Sequence, residues 1–92
     1  MTSWNQISPN FTVSFQNIDE FIAAGLKSGA LGLMNTIWTD DAQMLMRPTW
    51  PGIAYGAAAA WQSQPVNQNA FFSEYSQRMY PANAAQEVAR AL

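Results

Sequence analysis

An indole and two carboxylates stand at the end of a mostly apolar run in this 92-residue chain. The run extends from Ala30 to Ile37, and Trp38, Asp40 and Asp41 follow it. A tryptophan ring can cover one face of a sugar, while a neighbouring carboxylate accepts hydrogen bonds from sugar hydroxyl groups. The same spacing also fits a buried tryptophan followed by an Asp-Asp helix cap. The residues therefore predict either a point of carbohydrate contact or a structural strand end.

The apolar run itself predicts a buried strand. It has no charged residue and no alternation of polar and apolar positions, a pattern typical of a strand covered by helices on both faces. In α/β proteins, ligands bind at the carboxyl ends of such strands. We therefore expect an α/β fold in which residues 30–38 form the central strand and Trp38 lies at its functional end.

The composition excludes several kinds of chemistry. The chain has no histidine and no cysteine, so an imidazole base, a disulfide and a His- or Cys-ligated metal are all excluded. Four Lys or Arg residues against six Asp or Glu residues provide no basic patch, so we expect no nucleic-acid partner. We predict no metal and no cofactor, and any chemistry must come from carboxylates, hydroxyls, amides or aromatic rings.

No segment predicts a membrane protein. The apolar stretches are too short to span a bilayer, and the first residues lack the basic and apolar regions of a signal peptide. We therefore expect no membrane partner, and the sequence leaves the localisation unknown.

Helix signals flank the predicted strand. Asn17 and Glu20 form a capping-box pattern that predicts a helix over 18–27, ended by Gly29. Thr49 is a candidate N-cap and Pro51 suits the first turn of a second helix, over about 50–62. Residues 1–16 are predicted to be an irregular lead-in, with a short strand over 11–15 as an alternative. Residues 17–62 would then form a helix–strand–helix unit.

Residues 63–92 are predicted to form the C-terminal helices. One should run over about 70–80, with Phe71, Phe72, Tyr75 and Met79 at helical spacing and Pro81 at its end. Asn83 and Gln86 form a second capping-box pattern before a last helix.

This inventory predicts a fragment. One strand cannot satisfy its own backbone hydrogen-bonding groups, yet the chain offers one clear strand among about four helices. We therefore expect a single segment, residues 1–92, from a larger α/β domain. Expressed by itself, the chain should fold poorly or self-associate.

Two stretches resemble a known family. They are Gly29-Ala-Leu-Gly-Leu-Met-Asn-Thr-Ile-Trp-Thr-Asp-Asp41 and Trp50-Pro-Gly-Ile-Ala-Tyr-Gly-Ala-Ala-Ala-Ala-Trp-Gln62. In this order and spacing they resemble the end of the catalytic barrel of family 20 glycoside hydrolases, the β-N-acetylhexosaminidases and their relatives. The resemblance covers roughly residues 8–75. It implies a fragment of a (β/α)8 TIM barrel comprising its last helix–strand–helix units, mostly helical with one buried strand.

The resemblance also implies roles for individual residues. Trp38 looks like the tryptophan that lines the pocket for the terminal sugar. Asp40 occupies the position of a glutamate that accepts hydroxyl groups of that sugar, and it is one methylene shorter. Asp41 has no assured family role and a structural cap is at least as plausible. Trp50 and Trp61 are expected in the core, with the rim as an alternative for Trp50.

The catalytic acid of that family has no counterpart in this chain. The family uses the glutamate of an Asp-Glu pair on another strand, and the acetamido group of the substrate acts as nucleophile. Asp19 and Glu20 are such a pair, but the predicted helix cap accounts for them. Asp40 and Asp41 are adjacent and would point in opposite directions on an extended segment, whereas two catalytic carboxyls must flank the glycosidic bond.

Three functions remain open at this point. The first is a part of a glycoside hydrolase that acts on terminal N-acetylhexosamine residues; the chain would supply substrate contacts from Trp38 and Asp40 but no catalytic residue. Such a part would need the rest of the barrel and would be inactive by itself. The alternatives are a small helical binding or scaffold module, and a barrel relative that binds glycans without catalysis.

Overall fold

The computed structural model of the chain describes residues 7–38 and 45–92. Over these residues the protein is all-helical, with four α-helices, a short 3₁₀ helix and no strand. The helices are α1 (Phe11–Lys27), α2 (Trp50–Trp61), α3 (Gln68–Met79) and α4 (Ala82–Ala91), and the 3₁₀ helix Arg47–Thr49 leads into α2. The prediction of an α/β fold, a TIM-barrel fragment with one buried strand, is therefore wrong.

Residues 30–38, hereafter the apolar segment, are irregular instead of forming the predicted strand. Side chains from Leu33 to Trp38 alternate between half-buried odd positions and exposed even positions, the period of an extended backbone. A strand also requires a neighbouring strand to complete its hydrogen bonds, and the described residues provide none. The segment instead lies along the helices with one side in solvent, so its predicted burial on both faces is also wrong.

Helix α1 begins earlier than predicted. Asn10 is its N-cap, and the side-chain Oδ1 accepts a hydrogen bond from the Val13 N–H at 3.2 Å. The residues from 11 to 16, predicted as irregular or as a strand, are therefore helical, and the capping box proposed for Asn17 and Glu20 is wrong. The reason is that Phe11 and Phe15 continue the apolar face of the helix one turn towards the N-terminus.

The C-terminal end of α1 agrees with the prediction. The helix ends at Lys27, and Gly29 adopts a left-handed conformation with φ of 70°. The Ala30 N–H donates to the Gly25 carbonyl at 2.9 Å and the Gly29 N–H to the Leu26 carbonyl at 3.2 Å. These two bonds form a Schellman motif, which ends the helix and directs the chain into the apolar segment.

Helix α2 follows the predicted bounds closely and has Pro51 in its first turn. Thr49 stands at the N-cap position, but its hydroxyl donates to the Met46 carbonyl and does not cap the helix. The buried face of α2 consists mainly of small residues with one tyrosine: Pro51, Gly52, Tyr55, Gly56 and Ala59. Because most side chains on this face are small, neighbouring elements can approach the α2 backbone closely.

The last two helices are close to where the sequence predicts them, but the cap predicted for the last helix is not found. Asn67 caps α3 by accepting a hydrogen bond from the Ala70 N–H at 2.9 Å. Helix α4 begins after Pro81, which makes no side-chain cap, so the capping box predicted for Asn83 and Gln86 is wrong. Pro81 ends α3 and precedes the first residue of α4, so α4 begins without a polar side chain that caps it.

Aromatic rings dominate the core. Phe15, Ile18, Tyr55 and Ala59 are buried between α1 and α2, and Phe11, Phe71 and Phe72 pack against them. The Phe15 and Tyr55 rings stack with centroids 3.7 Å apart and planes 6° from parallel. Phe71 meets both rings edge to face, so the rings bring α3 against the pair formed by α1 and α2.

Candidate functional site

Trp38, the predicted sugar contact, is on the surface at the end of the apolar segment. Its indole is 54% exposed, and the Nε1–H donates to the Thr36 hydroxyl at 3.3 Å. Residues two apart on an extended backbone lie on the same side, so Thr36 is well placed to orient the ring. This hydrogen bond restrains the ring while much of its area is in contact with solvent.

The apolar segment runs antiparallel to α2. The Asn35 side-chain amide donates to the Gly52 carbonyl, near the start of α2, at 3.0 Å. At the other end of the segment, residues 30–33 line a cavity of about 140 Å³ that Ala60, near the end of α2, also lines. Trp38 consequently lies towards the N-terminal end of α2, where backbone N–H groups are not used by the helix itself.

Gly56 makes this arrangement sterically feasible. A Cβ atom at residue 56 would overlap with the side-chain amide of Asn35. The absence of a side chain therefore allows Asn35 to lie against the helix and bond to Gly52. Asn35 was not among the functional residues expected from the sequence. The sequence feature that could have pointed to Asn35 is an amide side chain within an apolar run, together with a glycine at the centre of the following helix.

Asp40 and Asp41 lie outside the described residues, so the structure does not describe the predicted pairing of Asp40 with Trp38. The prediction that Trp38 and Asp40 together contact a sugar stays a prediction.

Asp19 and Glu20 are in the middle of α1 and are not its N-terminal cap. The Tyr55 hydroxyl donates to the two carboxylate oxygens of Asp19 at 2.8 and 3.0 Å. Glu20 accepts a hydrogen bond from the Gln16 side chain, one turn earlier on the same helix, at 2.8 Å. The two carboxylates are engaged in bonds that hold α1 and its contact with α2, so the helix cap predicted for them is not their structural role.

The environment of Tyr55 keeps its hydroxyl protonated. Burial of the side chain, together with the hydrogen bond to and the negative charge of Asp19, raises the pKa of Tyr55 from 10.0 to about 12. A phenol with such a pKa donates a hydrogen bond at neutral pH and does not act as a base. No local sequence pattern links Asp19 to Tyr55, because the two residues are 36 positions apart.

Two tryptophans predicted to be in the core are at the surface. Trp61 is 92% exposed and Trp50 is 42% exposed, so the core prediction is wrong for both, while the rim alternative for Trp50 agrees with its exposure. The physical reason is the helical period: the buried face of α2 passes through positions 52, 55, 56 and 59. Positions 50 and 61 fall outside that face.

The described residues contain no group of three or more acidic, His or Cys side chains that could hold a metal ion. Among them, no helix has both the length and the apolar character required to cross a bilayer. No protein-family model, no curated protein and no solved structure matches the chain.

Proposed function

We propose that this chain binds a carbohydrate through the exposed face of Trp38, as a contributing part of a glycoside hydrolase that acts on N-acetylhexosaminides. The single observation that carries the proposal is the orientation of the Trp38 indole, exposed at the end of the apolar segment and hydrogen-bonded to Thr36. The resemblance of residues 29–41 and 50–62 to family 20 glycoside hydrolases supplies the substrate class.

Each group has a distinct role in the proposal. The indole covers the apolar face of a sugar ring, and its Nε1–H, already bonded to Thr36, limits rotation of the ring. Asp40, two residues further along the chain, accepts hydrogen bonds from the hydroxyl groups of the same sugar. Charge-assisted hydrogen bonds of this kind contribute about 1.5–3 kcal/mol each.

The chain does not supply the catalytic acid in this proposal. Asp19 and Glu20 accept hydrogen bonds from Tyr55 and Gln16, so each carboxylate already has a partner within the helices. The general acid would come from protein outside residues 1–92, and the chain would have no hydrolase activity by itself.

The experiment is a titration of residues 1–92 with N,N′-diacetylchitobiose, followed by the indole N–H resonances in ¹⁵N-labelled protein. We expect the Trp38 resonance to shift most and Trp38→Ala to weaken binding by at least about tenfold, a loss of about 1.4 kcal/mol. Trp61→Ala is the matched control, because Trp61 is also exposed but lies at the opposite end of α2. Equal effects of the two substitutions would contradict the proposal.

A second candidate function is a small helical module that binds another protein. The observation that favours it is a group of exposed apolar side chains on α1 and the apolar segment, including Phe21, Leu26 and Leu31. Exposed apolar surface of this kind is typical of interaction sites. The chitobiose titration separates the two candidates, because a module of this kind has no reason to bind the sugar.

A further inference from the structure

Within the apolar segment, the backbone hydrogen-bonding groups of residues 31–35 are unused among the described residues. The segment is nevertheless held in place, by the Schellman motif before it and by the bond from Asn35 to Gly52. An extended backbone with a row of free N–H and C=O groups is a template for pairing with another strand.

The side chains beside this backbone are apolar and exposed. Met34 is 86% exposed and Leu31 is fully exposed. Phe21 and Leu26 of α1 line the same cavity as Leu31, so the exposed apolar surface continues from the segment onto the helix. The exposed apolar area of these four side chains is on the order of several hundred Å², which is the size of patch that marks an interaction site.

The absence of charged residues from the segment favours a second copy of the chain as the partner that pairs with this edge. Residues 28–38 contain no charged side chain, so two copies of the segment meet no like charges when they pair. Soluble proteins commonly protect exposed edges with lysine, proline or a bulge, and residues 30–38 contain neither proline nor lysine. A two-fold axis across the edge would bring the two segments together in antiparallel orientation.

We propose that residues 31–35 pair antiparallel with the same residues of a second copy, so that the chain dimerises through a short two-stranded ribbon. The ribbon satisfies the free backbone groups of residues 31–35, and the dimer covers Leu31 and Met34 together with the adjacent surface of α1. This inference does not depend on carbohydrate binding, because pairing requires no sugar.

The first test is sedimentation equilibrium of residues 1–92 over a wide range of protein concentration, without sugar. We expect a reversible dimer, and we expect Met34→Lys to raise its dissociation constant at least about tenfold. Gln86→Lys is the matched control, since it adds the same charge to an exposed position of α4. A monomer at every concentration, or equal effects of the two lysines, would overturn the proposal.

The second test examines the pairing itself. Amide hydrogen exchange of the wild-type dimer should show slow exchange within residues 31–35, and this protection should disappear in Met34→Lys. In a dimer of labelled and unlabelled chains, intermolecular Hα–Hα contacts within the segment should report antiparallel strands. A dimer with fast exchange across residues 31–35 would show that the copies associate through another surface, and the proposal would be wrong.

Discussion

The hydroxyl of Tyr55 on α2 donates to both carboxylate oxygens of Asp19 on α1, at 2.8 and 3.0 Å. The Tyr55 ring also stacks on Phe15, one helical turn before Asp19. One side chain therefore supplies both an aromatic and a polar contact between the two helices. Residues of α1 and α2 both line the cavity beside residues 30–33, so this contact holds together the two helices against which the apolar segment lies.

Replacement of Tyr55 by phenylalanine should lower the free energy of unfolding. The substitution keeps the ring stack and removes the hydrogen bond to a charged acceptor, so we expect a loss of about 1.5–3 kcal/mol. Urea denaturation followed by circular dichroism measures it. Tyr80→Phe is the control, since the Tyr80 ring is near Arg47 rather than in the core. An equal loss of unfolding free energy in Tyr80→Phe would show that the hydrogen bond from Tyr55 to Asp19 does not account for the effect.

The same pair predicts instability at high pH. The pKa of Tyr55 is 10.0 without the folded environment and about 12 within it, so the folded protein holds the phenolic proton more tightly than the unfolded chain. The corresponding stability is fully present below pH 10 and is lost as the pH rises towards 12, by about 2 kcal/mol.

Denaturation measured at a series of alkaline pH values tests this dependence. Tyr55→Phe should flatten the decline relative to the wild type. Burial also raises the pKa of Tyr75, so a smaller decline in the same direction should remain in the variant. Parallel curves for the wild type and Tyr55→Phe would contradict the assignment of the decline to Tyr55.

Asn35 and Gly56 should be energetically coupled. A methyl group at residue 56 displaces the Asn35 amide and breaks its bond to Gly52, which offsets the roughly 1 kcal/mol that alanine gains over glycine within a helix. We therefore expect Gly56→Ala to be nearly neutral in the wild type and to stabilise the Asn35→Ala variant by about 1 kcal/mol. A double-mutant cycle in urea measures the coupling, and additive effects would indicate that the two residues do not touch.

Trp38 and Asp40 should affect function without affecting stability. In the proposed hydrolase, Trp38→Ala should lower kcat/KM on an aryl N-acetylglucosaminide by roughly 10²-fold, or about 2.7 kcal/mol of transition-state binding. Asp40→Asn should also lower kcat/KM, because it weakens charge-assisted hydrogen bonds to sugar hydroxyls.

Asp19→Asn should show the opposite behaviour, with lower stability from a weakened bond to Tyr55 and with unchanged kinetics. Unimpaired Trp38 and Asp40 variants beside an inactive Asp19 variant would overturn the proposed location of the sugar contact.

The sequence by itself determined the helices and most of their ends. Lys27 and Gly29 terminate α1, Pro51 lies in the first turn of α2, and α3 ends just before Pro81. These features could be predicted because a helix forms its hydrogen bonds between residues four apart. Its caps and breakers are consequently close in the sequence to the residues that they affect.

Only the tertiary structure decided the conformation of the apolar segment and the exposure of the tryptophans. The run from Ala30 to Ile37 has the composition of a buried strand, but a strand depends on partners that are distant in sequence, and none lies among the described residues. Helix α1 and helix α2 meet through Asp19 and Tyr55, and Asn35 reaches Gly52 because Gly56 has no side chain. Such contacts join residues that lie 17 to 36 positions apart, and no local pattern encodes them.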